Sequence, residues 1–317
     1  MNTHFVYYPE GDLIDTQENR DALSTPQSLA DAALTGRILE ARVTVCDSSH
    51  NLWVDLPCMK GMIPRTEGAI GIAEGEVRDI ALIARVGKPV CFRVLRIETD
   101  DEGQPLAILS RRIVQEACQA EYLAGLQPGD IIDARVTHLE PFGAFVDIGC
   151  GVASMVPIDM ISVSRISHPS DRFTVGQRIR VIVKGLQNKH ICLSHKELLG
   201  TWEENAALYH AGETTTGIVR SIEKYGVFIE LMPNLAGLAE LRQPVTIGQR
   251  ASVYIKALIP EKLKVKLILV DICEEGAKPE PIRYFYQGDH IDRWVYTPES
   301  SGKHIETVFD GVWTERS

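Results

Sequence analysis

A chain of 317 residues, 44% hydrophobic and 24% charged, has room for about two domains and is too apolar to be mostly disordered. No stretch approaches the ~18 consecutive apolar residues of a membrane span, and the first eight residues hold neither a basic leader nor an apolar core, so a cytoplasmic location is expected. The net charge of -10 argues against nucleic acid only until its location is considered.

Taken in chain order, residues 1–34 are polar and acidic and read as a disordered tail. Residues 35–112, 127–197 and 212–270 then form three copies of one repeat. Glu140-Pro-Phe-Gly-Ala-Phe-Val-Asp-Ile returns at position 223 as Glu223-Lys-Tyr-Gly-Val-Phe-Ile-Glu-Leu, and Val175-Gly-Gln-Arg returns as Ile247-Gly-Gln-Arg. The first copy is fainter: Ala41-Arg-Val-Thr matches Ala134-Arg-Val-Thr, Trp53-Val-Asp-Leu matches Phe145-Val-Asp-Ile, and Leu109-Ser-Arg-Arg closes it as Leu193-Ser-His-Lys closes the second. In copy two, alternation predicts strands over 132–139, 144–148, 151–156, 178–186 and 190–194. Five short strands with a long connection before the fourth predict a small closed barrel of the oligonucleotide-binding type, so the chain reads as all-β: three tandem five-stranded barrels with short connecting helices.

The connectors, 113–126 and 198–211, are rich in Ala, Glu, Leu and Gln and read as helices. The C-terminal stretch 271–317 is acidic. Within it, 282–286 and 290–296 read as an aromatic hairpin around Gln287-Gly-Asp, expected to pack on barrel three. The three repeats together carry +4, so the acidity lies in the tails and connectors.

Strand two holds the most informative pattern. In Leu52-Trp53-Val54-Asp55-Leu56, Ala144-Phe145-Val146-Asp147-Ile148 and Val227-Phe228-Ile229-Glu230-Leu231 the aliphatics share one face, and an aromatic shares the other with a carboxylate. Carboxylates rarely stay unpaired in a core, so Trp53, Phe145 and Phe228 are expected to point outward and lie open to water. One such ring could simply pack on a neighbouring element; three at one register favour a platform on which bases stack. Phe142 and Tyr225 stand three residues upstream, with His50 at that offset in copy one. Strict alternation would turn these inward to cap the barrel, unless a bend at Gly143 or Gly226 brings both rings to one side. Rows of cations (Arg178, Arg180 and Lys184; Arg250, Lys256, Lys262, Lys264 and Lys266) can follow a phosphate backbone or form a solvated face. His168, in the long loop of copy two, could stack or donate to phosphate.

Other chemistries find no motif. There is no Gly-x-x-x-x-Gly-Lys-Ser/Thr loop, no Gly-x-Ser-x-Gly elbow and no His-Glu-x-x-His pair. The seven cysteines form no Cys-x-x-Cys pair, which argues against zinc and against a disulfide framework. Neither an enzyme nor a cofactor is expected, nor a small-molecule substrate.

At these residues the chain resembles the S1 RNA-binding domain family, in the tandem form found in bacterial ribosomal protein S1. Copy two carries the resemblance in Gly129, Val136, Phe142-Gly-Ala-Phe-Val-Asp, Val156-Pro-Ile, His168-Pro-Ser, Val175-Gly-Gln and Ile191-Cys-Leu-Ser. The resemblance implies an RNA face built from Phe142, Phe145, His168, His190 and Arg180 in copy two and from Tyr225, Phe228 and Lys264 in copy three. Copy one lacks the Phe-Gly pair and keeps only Trp53, which implies a docking or spacing role. By the same analogy the partners are single-stranded messenger RNA and the small ribosomal subunit. A non-ribosomal regulator of RNA turnover or transcription, and a protein-interaction scaffold, remain open alternatives.

Overall fold

The structure is a computed structural model that describes residues 7–187, 190–241, 244–276 and 281–309. It contains three closed five-stranded barrels. Barrel one comprises β1 (Leu39–Cys46), β2 (Leu52–Asp55), β3 (Lys60–Ile63), β4 (Pro89–Thr99) and β5 (Pro105–Ser110), in the order β1-β2-β3-β5-β4. Barrel two repeats this order with β6 (Ile131–Glu140), β7 (Gly143–Asp147), β8 (Ala153–Pro157), β9 (Arg178–Gln187) and β10 (His190–Ser194). Barrel three follows with β11 (Thr214–Glu223), β12 (Gly226–Met232), β13 (Leu235–Ala239), β14 (Gln249–Ile259) and β15 (Lys264–Gly276). Strands three and five pair in parallel in every barrel, and this closes the sheet. No helix among the described residues is long and apolar enough to cross a membrane.

The alternation on strand two sets the core in each barrel. Leu52, Val54 and Leu56, then Ala144, Val146 and Ile148, then Val227, Ile229 and Leu231 are all buried. The carboxylates face the other way, as expected, but only Asp55 meets water. Asp147 and Glu230 are buried and fully partnered.

The chain divides into two compact units, Met1–Leu126 with Asp147–Ala153, and Gln127–Val146 with Ser154–Ser317. In the first unit, the expected disordered tail is instead folded over its described part. Helix α1 (Gln17–Leu23) starts at Thr16, whose hydroxyl accepts from the Asn19 amide. Helix α2 (Pro26–Thr35) starts at a Thr25–Ser28 capping box with proline in the first turn, and ends at Gly36 with φ 64°. Leu23, Leu29 and Ala32 pack into the core of barrel one, so a short apolar stripe outweighs the acidic composition. Helix α3 (Ile80–Ile83) lies in the long loop, and α4 (Arg112–Glu121) follows barrel one directly.

A buried ion cluster organises this unit. Arg111 donates to Glu10 from Nε at 2.6 Å and from Nη2 at 3.0 Å, and Arg85 approaches the same carboxylate at 3.3 Å. Burial opposes ionisation of Glu10, but the two guanidinium groups hold its carboxyl below the ordinary range. Asp147 accepts from the amides of Glu10, Gly149 and Gly151; burial and the Glu10 charge push it up to about 7.

In the second unit, α5 (Trp202–Ala206) connects barrels two and three. Arg172 and Arg220 both pair with Glu230, and Arg220 also reaches Asp171 at 3.0 Å. Asn234, wholly buried in the β12–β13 turn, accepts from the Val163 amide and donates to the carbonyls of Lys196 and Gly200. The two barrels are therefore joined by buried hydrogen bonds and ion pairs, in which loss of one partner would leave the other unsatisfied.

The C-terminal hairpin differs from the expected one. Its strands are β16 (Arg293–Val295) and β17 (Glu306–Val308), while residues 282–286 form no strand. Trp294 and Tyr296 join the core of barrel three, whereas Tyr284 and Tyr286 pack on barrel two against Ile131, Ile182 and Leu198. The chain thus spreads its aromatics over both barrels.

Candidate nucleic-acid interface

Each platform begins at a turn. β7 and β12 start at Gly143 and Gly226, so Phe142 and Tyr225 sit in the turn before the strand, outside its alternation. Glycine is required here because a Cβ would stand 2.6 Å from the Val156 carbonyl oxygen at Gly143, and 2.5 Å from that of Ala239 at Gly226. The upstream ring is therefore free to join the outward ring of the strand. Phe142 and Phe145 meet edge to face, centroids 5.9 Å apart, and Tyr225 and Phe228 do the same at 6.2 Å. Phe142 is 56% exposed and Tyr225 68% exposed. Phe145 and Phe228 are half-buried rather than bare, each flanked by neighbouring strands. The result in both barrels is a two-ring corner with one ring supported and the other in water.

Lateral register identifies what lies beside the rings. In barrel three, Phe228 stands opposite Leu238, and Leu238 opposite Lys266. Strands are spaced by roughly 4.8 Å, so Lys266 starts about 10 Å from the ring position, within reach of a phosphate on a base stacked there. The predicted Lys264 is exposed two residues earlier on the same face. Lys266 is thus the lysine in line with the ring, and the signal for it was the alternation of Lys262, Lys264 and Lys266.

The candidates of barrel two are less concentrated. Arg180 lies on β9, and its guanidinium donates to the carbonyls of Tyr286 at 3.0 Å and Gly288 at 2.6 Å, while its own amide donates to the Tyr284 hydroxyl at 2.9 Å. In this structure the C-terminal segment thus engages the expected phosphate contact. His168 is half-buried, and its Nδ1 accepts from the Ser170 amide at 3.2 Å, so the ring terminates a turn of its own loop. The side chain of His190 lies outside the described residues. Where barrel three has Leu238 opposite Lys266, barrel two has Met155 opposite Cys192.

Barrel one presents a different row. Trp53 is half-buried, and its indole N–H donates to Asp47 Oδ2 at 3.0 Å. It stands opposite Val45 and Met62, and Met62 stands opposite Ile108, which is buried. His50, at the offset of Phe142, occupies a left-handed position with φ 62° in the β1–β2 turn, 3.8 Å from Asp79. Among the described residues no second ring meets Trp53.

Three five-stranded barrels share this topology, and in two of them an exposed ring in the turn meets a half-buried ring of strand two. Residues 126–196 match the family model of the S1 RNA binding domain. Among similar proteins is a small ribosomal subunit protein bS1 homolog of Bacillus cereus (strain ATCC 10987 / NRS 248), 28% identical over 287 residues, covering 87% of this chain and 70% of that one. The bS1 homolog of Bacillus subtilis (strain 168) is 35% identical over 164 residues, 50% of this chain and 42% of the relative. The small ribosomal subunit protein bS1 of Rhodopseudomonas palustris (strain ATCC BAA-98 / CGA009) is 32% identical over 197 residues, 60% of this chain and 33% of the relative. The chain thus spans most of the first relative and less than half of the other two.

Proposed function

We propose that the chain binds single-stranded RNA through Phe142 and Phe145 of barrel two and Tyr225 and Phe228 of barrel three, and that it brings messenger RNA to the small ribosomal subunit. The edge-to-face ring pair, one ring exposed and one half-buried, present in two barrels at one register, carries this reading. Stacking on such rings contributes roughly 1–3 kcal/mol per base and accepts every base, so sequence preference is slight. Lys264 and Lys266 add phosphate contacts on barrel three. Joining two weak sites in one compact unit raises their combined affinity through effective concentration. The bS1 names of the relatives support the ribosomal role. Barrel one, without a ring pair, serves as a docking or spacing domain.

Titration of the full chain with oligo-U at low and high salt tests the RNA reading, with salt-sensitive binding of micromolar order or tighter expected. Absence of binding would favour a protein-interaction scaffold. Co-sedimentation with small ribosomal subunits tests the second step: a chain that binds RNA but stays at the top of the gradient is a non-ribosomal RNA-binding protein.

A further inference from the structure

A third ring adjoins the Phe142–Phe145 corner. His138 lies on β6, four residues before Phe142, and its imidazole centroid is 6.3 Å from that of Phe145 with the planes 34° apart. Phe142, in contrast, meets Phe145 nearly perpendicular, at 87°. The His138 side chain is 62% exposed, and its Nε2 lies 2.6 Å from a Glu140 carboxylate oxygen, which orients the ring. Neither other barrel has a ring at this place. Barrel three sets Ser221 opposite Phe228, and barrel one sets Val45 opposite Trp53.

We infer that His138 is a base-contacting residue of barrel two, an inference that rests on the RNA reading above. Phe145 and His138, side by side and only moderately tilted, present one continuous π surface, with Phe142 standing as a wall beside it. A nucleobase laid on Phe145 extends over the imidazole. On barrel three the equivalent base meets the Ser221 hydroxyl on one flank and the Leu238–Lys266 row on the other. Barrel two therefore engages RNA more through bases, and barrel three more through the backbone. The ligand that separates them is an unpaired nucleobase as opposed to a ribose phosphate.

The test uses the full chain, both unmodified and with Tyr225→Ala and Phe228→Ala to silence barrel three. In each, His138→Ala is expected to weaken oligo-U binding about 3- to 10-fold, and His138→Phe, which keeps a ring, to bind like its parent. Melting temperatures stay unchanged, because the side chain is exposed. A ribose-phosphate oligomer without bases separates base contact from charge: on it, His138→Ala makes no difference. The inference is overturned if oligo-U affinity survives His138→Ala while Phe145→Ala lowers it. It is equally overturned if the Ala and Phe variants lose affinity alike, or if the loss persists on the baseless oligomer. Failure of the unmodified chain to bind oligo-U at all would instead overturn the RNA reading, and this inference with it.

Discussion

Barrels one and three share a topology and a strand-two pattern, yet they present different surfaces. Trp53 and Phe228 hold the same register on equivalent strands, both half-buried. Around Phe228 stand an exposed tyrosine and, two strands away, a lysine. Around Trp53 stand an aspartate that takes its only donor and an apolar row ending in a buried isoleucine. The outward aromatic by itself therefore belongs to the architecture. The upstream ring, which requires the following glycine, turns that architecture into a stacking site.

The largest effect tests that distinction directly. Phe145→Ala with Phe228→Ala removes the supported ring from both platforms, and at ~1–3 kcal/mol per stack RNA affinity should fall at least about 30-fold. Trp53→Ala should leave RNA affinity intact and instead cost stability of order 1–2 kcal/mol through its packing and its hydrogen bond to Asp47. Filter binding together with thermal melting reads both. Equal losses of RNA affinity from the two replacements would erase the difference between the barrels.

The residue following Ser at the end of strand five sharpens the comparison. Barrel one has Arg111, charged and paired with Glu10. Barrel two has His195, wholly buried, with Nδ1–H donating to the Ile161 carbonyl at 2.8 Å and the ring edge-on to Phe173 and Tyr284. Burial is the main cause that lowers His195 to about 4. An unfolded histidine takes up a proton near 6.5, so the contribution of His195 is complete above that pH and is lost as pH falls toward 4. The loss is on the order of 3 kcal/mol. Denaturant melts of the unmodified chain and His195→Gln, compared between pH 7 and pH 4, should converge at the acid end. A constant gap across that range would show that His195 is not held neutral.

The smallest effect concerns charge. Lys264→Ala with Lys266→Ala should weaken oligo-U binding only a few-fold, while reducing the slope of log affinity against log salt by about 1.4, or ~0.7 per single-strand phosphate contact. An unchanged slope would place the phosphates elsewhere.

Much of this was legible in the sequence because its signals are local and repeated. Alternation in 144–148 fixed which side chains line the barrel, and the five strands of barrel two fall within about two residues of their expected ends. Contacts between distant residues left no such trace. Asp147 is covered by the Glu10 amide, 137 residues away, and Glu230 by Arg172, 58 away, so neither carboxylate could be recognised as buried. Arg180 was expected at the RNA face by resemblance, but nothing near it in sequence reveals the carbonyls of Tyr286 and Gly288. In residues 7–34, acidic composition masked two well-capped helices whose stabilising partner is barrel one itself. His138 was missed because it precedes the repeated motif and has no ring counterpart in the other copies.

The rings most open to water offer the most direct test. Phe142→Ala with Tyr225→Ala removes side chains that the fold barely uses, so melting should shift little. Oligo-U titration at fixed salt should then show a drop of at least about tenfold against the unmodified chain. Undiminished affinity in a normally folded variant would contradict the account, because RNA would then be held by some other surface.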